Sequence, residues 1–168
     1  MSPSLLNEFV DIDQTLVFNY QLQPGQTIAG LQQPISGDGD FHLCGMQVTS
    51  VLLQKPTLVE LQGFVGVRIA DDVGYKLMSG FISNKFMTPQ QGNSYPYVIR
   101  PAHMFKAGTR INIDLQEQSN VTDPISGPVP NIVQILFRGR YRYRMDTLRR
   151  LQQERKGLSG VNMSRGFR

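Results

Sequence analysis

From Gln134 to Met145 the chain runs QILFRGRYRYRM, placing an arginine at every second position between Arg138 and Arg144. Gly139, Tyr141 and Tyr143 stand among them, and Ile135 and Phe137 precede on the same parity. Period two is the geometry of a β-strand, so one side of the segment is apolar and aromatic and the other is a comb of guanidinium groups. A slip of one residue in register would bury four cations, at great cost. The segment therefore predicts a strand on a one-sided sheet. Ile135, Phe137 and Tyr141 belong inside, and Arg138, Arg140, Arg142 and Arg144 belong outside.

Other stretches repeat that period. Leu16, Phe18, Tyr20 and Leu22 alternate with Val17, Asn19 and Gln21 until Pro24-Gly25 supplies turn chemistry. Gly37-Asp38-Gly39-Asp40 is a second turn, leading into Phe41, Leu43 and an apolar-rich stretch to Leu53 that Lys55-Pro56 breaks. Leu61, Gly63, Val65, Val67 and Ile69 mark another strand, closed by Asp71-Asp72 and Gly74. Ile111, Ile113 and Leu115 alternate with Arg110, Asn112, Asp114 and Gln116. Residues 75–101, interrupted by Gly80, Pro89, Gly92, Pro96 and Pro101, predict one or two short strands among long loops. Residues 118–130 hold three prolines and predict a surface loop.

Roughly seven or eight short strands with turn signals between them predict an all-β fold, an antiparallel β-sandwich or jelly roll. No βαβ alternation and no internal repeat interrupts that pattern. The expected organisation is a flexible N-terminal arm over residues 1–14, the sandwich over residues 15–145, and a short basic helix and tail over residues 146–168. In the arm, Ser4 is placed to cap a helical turn through Leu5, Leu6 and Phe9. Beyond the sandwich, Asp146 is an N-cap, Thr147 to Lys156 contains good helix formers, and Leu148 and Leu151 share a face. Gly157 and Gly160 end the helix, and VNMSRGFR at the end is expected to be flexible.

Charge is divided along the chain. Residues 1–130 hold seven Lys and Arg against eleven Asp and Glu, whereas residues 131–168 hold ten against two. A body of −4 and an end of +8 point to an interaction segment rather than a generally basic surface. No run of about eighteen apolar residues predicts a membrane span, and MSPSLLNEFVDIDQ lacks the basic flank of a secretory signal. The single cysteine, Cys44, excludes an internal disulfide and a cysteine-based zinc cage and suits a reducing compartment.

Catalytic constellations are thin. His42 and Cys44 lie two apart on an expected strand, beside Met46 and Val48 on the same parity, which predicts a buried thiol and a hydrogen-bonded histidine rather than a nucleophile and its base. His103 falls in a proline-bounded loop. Asp38 and Asp40 open like a calcium loop, but no third ligand or closing glutamate follows at the required step, so a polar turn is expected; Asp71-Asp72 is treated alike. No phosphate-cradling glycine motif occurs. The chain is expected to be a non-enzyme without catalytic residues, metal or cofactor.

Four segments carry a resemblance: TLVFNYQLQPGQTIAG, GDGDFHLCGMQVTS, RPAHMFKAGTRINIDLQEQS and NIVQILFRGRYRYR. In that order they resemble small jelly-roll virion proteins of tailed bacteriophages, which bind the head shell or its neck as cement, decoration or collar subunits. The resemblance covers roughly residues 15–145 and is one of pattern, without a catalytic motif. It implies a virion protein assembled in the host cytoplasm, multimeric on the particle, with the major capsid, portal or neck proteins as partners. It implies no cofactor and no membrane. The basic end departs from the plain pattern.

The residues expected to dock are Arg138, Arg140, Arg142, Arg144, Leu148, Arg149, Arg150 and Leu151. Four arginines on one strand face repel one another unless acids lie opposite, and the acids expected there belong to a neighbouring copy or to the particle. The competing reading is a nucleic-acid-binding β-barrel whose arginine strand tracks phosphates, with Phe137, Tyr141 and Tyr143 stacking on bases. Their shared parity with Ile135 favours core packing, so nucleic acid is not the expected partner.

Overall fold

The arginine-rich alternation forms one strand, Asn131–Arg144, whose side chains divide as the period requires. Ile135 and Phe137 are completely buried and Tyr141 is 3% exposed, while Arg138, Arg140, Arg142 and Arg144 are exposed. A computed structural model of the chain describes residues 9–53, 60–87, 97–123 and 127–161. The strands are β1 (Phe9–Leu22), β2 (Thr27–Pro34), β3 (Gly39–Leu53), β4 (Glu60–Gln62), β5 (Val65–Asp71) and β6 (Ile82–Ser83), followed by a 3-10 turn at Asn84–Phe86. Then come β7 (Tyr97–Phe105), β8 (Arg110–Glu117), β9 (Thr122–Asp123), β10 (Gly127–Pro128), β11 (Asn131–Arg144) and a helix, α1 (Met145–Val161).

Pairing is antiparallel throughout and nested: β1 with β11, β2 with β8, β3 with β7, and β5 with β6. The chain is thus one long ribbon of paired strands, rolled so that β11 also meets β3 and β8 also meets β5. The result is a first sheet in the order β1-β11-β3, with β4 and β7 sharing the far edge of β3, and a second sheet in the order β2-β8-β5-β6. Nested pairs rolled into two sheets define a jelly roll. One continuous core lies between the sheets, joining Phe41, Met46 and Phe137 of the first to Val67, Ile113 and Leu115 of the second. Phe18 meets Phe137 edge-on at 5.7 Å, and Phe41 lies 4.9 Å from Tyr141.

Several elements depart from the sequence expectations. β1 begins at Phe9 rather than at Thr15, so residues 9–14 continue the strand where an arm with a helical turn was expected. Asp11 and Asp13 hold that extension by pairing with Arg142 and Arg140 on β11. Ser4, Leu5 and Leu6 lie outside the described residues. β2 carries no run of alternation, because Gly30 adopts φ +73° and the register shifts between Ile28 and Leu31, leaving its two large aliphatic residues three apart. Pro34 closes this strand on the open edge of the second sheet, where no ladder bond is lost. His103 belongs to β7, not to a loop. The loop expected after residue 117 contains the small hairpin β9–β10. α1 starts directly after β11 and passes Gly157 and Gly160 to Val161; Asp146 sits in its first turn, accepting from the Thr147 N–H at 2.8 Å.

The parity expected for His42 and Cys44 fails for a definite reason. Arg138 pairs with Gly45 and Gly139 with Leu43, leaving Cys44 as the extra residue of a β-bulge. Before the bulge Phe41 and Leu43 point inward, and after it Met46 and Val48 do. Cys44 is therefore exposed, not buried.

Candidate docking face

The outer face of the first sheet is built by β1 and β11 in unbroken register and by β3 beside them. Opposite Arg138, Arg140, Arg142 and Arg144 on β1 stand Thr15, Asp13, Asp11 and Phe9. Cross-strand neighbours on one face lie close enough for charged side chains to meet. Arg140 Nε bonds Asp13 Oδ1 at 2.8 Å. Arg142 forks onto Asp11, Nε to Oδ1 at 2.9 Å and Nη2 to Oδ2 at 3.2 Å. The Arg142 hydrogen bond and charge hold the Asp11 carboxyl below its ordinary value of 3.8, and the same bond raises the Arg142 guanidinium.

The comb is thus partly neutralised by the chain's own N-terminal strand, where acids from a neighbouring copy or a particle were expected. Among the described residues, Arg138, Arg144 and Arg149 form no ion pair, whereas Arg150 Nη2 reaches Asp38 Oδ1 at 3.0 Å and its Nε approaches Glu154 at 3.7 Å. The eight expected docking residues separate accordingly. Arg138 and Arg144 flank the two internal pairs on the sheet face, and Arg149 is exposed on the helix that follows. Arg150 ties α1 to the β2–β3 turn. Leu148 and Leu151 are half-buried and, with Ile12 and Tyr143, line a groove of about 260 Å³ between α1 and the sheet. A second, open groove of about 360 Å³ runs along the face itself, lined by Asp13, Gln14, Thr15, Cys44, Arg138, Gly139 and Arg140.

His42, Cys44, His103, Asp40 and Asp71 are not gathered into one site. The Cys44 thiol lies 3.5 Å from the main-chain carbonyl of His42, not from its ring. The His42 Nε2 atom is buried and, among the described residues, has no hydrogen-bond partner. His103 stacks on Tyr75 at 5.3 Å and meets the edge of Phe105 at 4.7 Å, with Nε2 3.5 Å from Asp71 Oδ2. Asp71 also accepts from the Tyr75 N–H within its own turn, and Asp40, at the start of β3, accepts from the Ala107 N–H after β7. Among the described residues no group of three or more His, Cys, Asp or Glu is placed to hold a metal ion, and no helix is long and apolar enough to cross a membrane.

No protein-family model matches the chain, and no curated protein matches it. Solved structures do match, among them two of infectious bursal disease virus. The infectious bursal disease virus VP2 subviral particle aligns with 80% of this chain and 41% of its own, at 9% identity and a TM-score of 0.29. The structure of infectious bursal disease virus Gx strain aligns with 82% of this chain and 41% of its own, at 11% identity and a TM-score of 0.27. The chain thus spans about two fifths of the length of either. The jelly-roll assignment rests on the strand order itself.

Proposed function

We propose that this protein is a structural component of a virus particle, a subunit that docks on the head or neck of a tailed bacteriophage as a cement, decoration or collar protein. The reading rests on the sign pattern of the outer sheet face. Two arginines are already paired with acids from β1, and Arg138, Arg144 and Arg149, which form no ion pair among the described residues, are free to pair elsewhere. A face of interleaved charges repels a phosphate backbone at Asp11 and Asp13 but complements a protein surface that carries both signs. Jelly rolls with a closed apolar core present such a face on a rigid frame, and the basic helix α1 extends it. The resemblance of four sequence segments to phage jelly-roll virion proteins points the same way. Partners on this reading are the capsid, portal or neck proteins of the particle, with several copies bound, and the residence is the virion.

Nucleic-acid binding is the competing outcome, and salt separates the two. A protein neutralising several phosphates loses about three to five orders of magnitude in affinity for DNA as salt rises a few-fold above 50 mM. The purified chain is expected to show no such salt-dependent DNA binding and to co-sediment with the particles of its phage. DNA binding with a steep salt slope, and no co-sedimentation, would replace the structural reading with the other.

A further inference from the structure

β1 is the outermost strand of the first sheet, and among the described residues it pairs only with β11. It is 14 residues long, FVDIDQTLVFNYQL, and matches β11 without a register shift. Long open edges are templates for another strand, and proteins usually blunt them with lysine, proline, a bulge or a covering segment. β1 contains neither lysine nor proline and has no bulge against β11. Its side chains also leave apolar surface unfilled: Ile12 is 39% and Val17 48% exposed, and the core-facing Leu16, Phe18 and Tyr20 are only partly buried.

We propose that β1 is the self-association edge of this protein, two copies pairing their β1 strands antiparallel about a two-fold axis at Leu16. Charge placement selects this occupant and this register. Both acids of the strand, Asp11 and Asp13, lie in its N-terminal half, and the amides Asn19 and Gln21 lie in its C-terminal half on the same face. An axis at Leu16 sets Asp13 opposite the partner subunit's Asn19 and Asp11 opposite the partner subunit's Gln21, so amide donors meet carboxylates. Parallel pairing would set acid beside acid, and an axis at Thr15 would set Asp13 against valine. On the core side, Leu16 meets the partner's Leu16 and Ile12 meets the partner's Tyr20, covering the apolar surface that β1 leaves open. Pairing then runs from Val10 to Leu22, nearly the whole strand, and the contact is isologous and closes at two subunits. The inference does not depend on the virion reading, because this pairing forms in solution without a particle.

Sedimentation equilibrium of the full chain tests it, with two double variants that bracket the effect. Asn19→Asp with Gln21→Glu keeps the acceptor that Gln134 uses at Asn19 in the monomer, 3.1 Å away, while setting acids against acids across the axis. Asn19→Lys with Gln21→Lys sets cations against the same acids. The wild type is expected to dimerise, with a dissociation constant raised about tenfold or more in the acidic variant and lowered about tenfold in the lysine variant. A wild type that stays monomeric to roughly 0.1 mM overturns the proposal. So do equal dissociation constants in all three proteins, or shifts of the opposite sign.

Discussion

Glu117→Ala is expected to destabilise the fold by about 3 kcal/mol, because one carboxylate accepts from four donors where the two sheets meet. Glu117 is 5% exposed and stands at the end of β8. It accepts from the backbone N–H groups of Gly25 at 2.9 Å, Ser119 at 2.7 Å and Asn120 at 2.9 Å, and from Asn131 Nδ2 at 3.3 Å. Asn131 in turn donates to the Phe64 carbonyl at 3.2 Å and accepts from the Ser50 hydroxyl. The network therefore fastens β8 of the second sheet to β11 and β3 of the first. Truncation leaves the buried Asn131 amide and three partly buried N–H groups without their acceptor, which costs more than the bonds contribute. Burial raises the Glu117 pKa, but the N–H bonds from Gly25, Asn120 and Ser119 outweigh it and hold the carboxyl below its ordinary 4.5. A depressed folded pKa gives stability that is complete above about 4.5 and fades as pH falls through the folded value. Urea unfolding at neutral and acid pH should show the wild type weakening below that point and Glu117→Gln weakening less. Parallel pH profiles for the two proteins would contradict this account of the network.

Gly139→Ala is expected to cost about 3 kcal/mol, a large effect for one methyl group. A Cβ at this position would stand 2.3 Å from the His42 carbonyl oxygen and 2.6 Å from Phe41 Cζ. The oxygen is backbone and is held by the bulge at Cys44, so it cannot step aside. The ring is held by packing against Tyr141. Gly139 thus gives the Phe41 ring room to lie over β11 while the arginines continue outward on either side. Gly80→Ala is the control: among the described residues no atom beyond its chain neighbours lies within 4 Å of its added Cβ, and its urea midpoint should match the wild type. Equal midpoints for both alanine variants would show that β11 shifts freely at Gly139.

These sites show how far alternation carries. β11, β8 and the second half of β1, Leu16 to Leu22, are legible because each keeps one side largely apolar, and the burial of Ile135, Phe137 and Tyr141 follows from it. β2 and β7 are not, since Gly30 interrupts one and Pro101 the other, and neither shows a run of period two. The bulge at Cys44 reverses parity within β3, which no local pattern announces. Asp11 and Asp13 share the spacing of Arg140 and Arg142, a signal visible in the sequence but masked by assigning those residues to an arm. That these acids meet those arginines depends on strand register across more than 120 positions, and alternation alone does not set it. Glu117 likewise gathers its donors from segments far apart in the chain.

On the proposed reading, the arginines that form no ion pair among the described residues, Arg138 and Arg144 on the sheet face and Arg149 on α1, hold the subunit on its particle. Arg138→Glu, Arg144→Glu and Arg149→Glu combined reverses those charges while leaving the Arg140–Asp13 and Arg142–Asp11 pairs intact. Each exposed pair contributes about 0–1 kcal/mol, so no single change decides the outcome, but three reversals together should lower particle occupancy about tenfold or more. Occupancy measured on purified phage particles, with circular dichroism and urea unfolding unchanged from wild type, is the predicted result. A folded triple variant that joins particles at wild-type occupancy would contradict the claim and leave the arginine face a solvated surface.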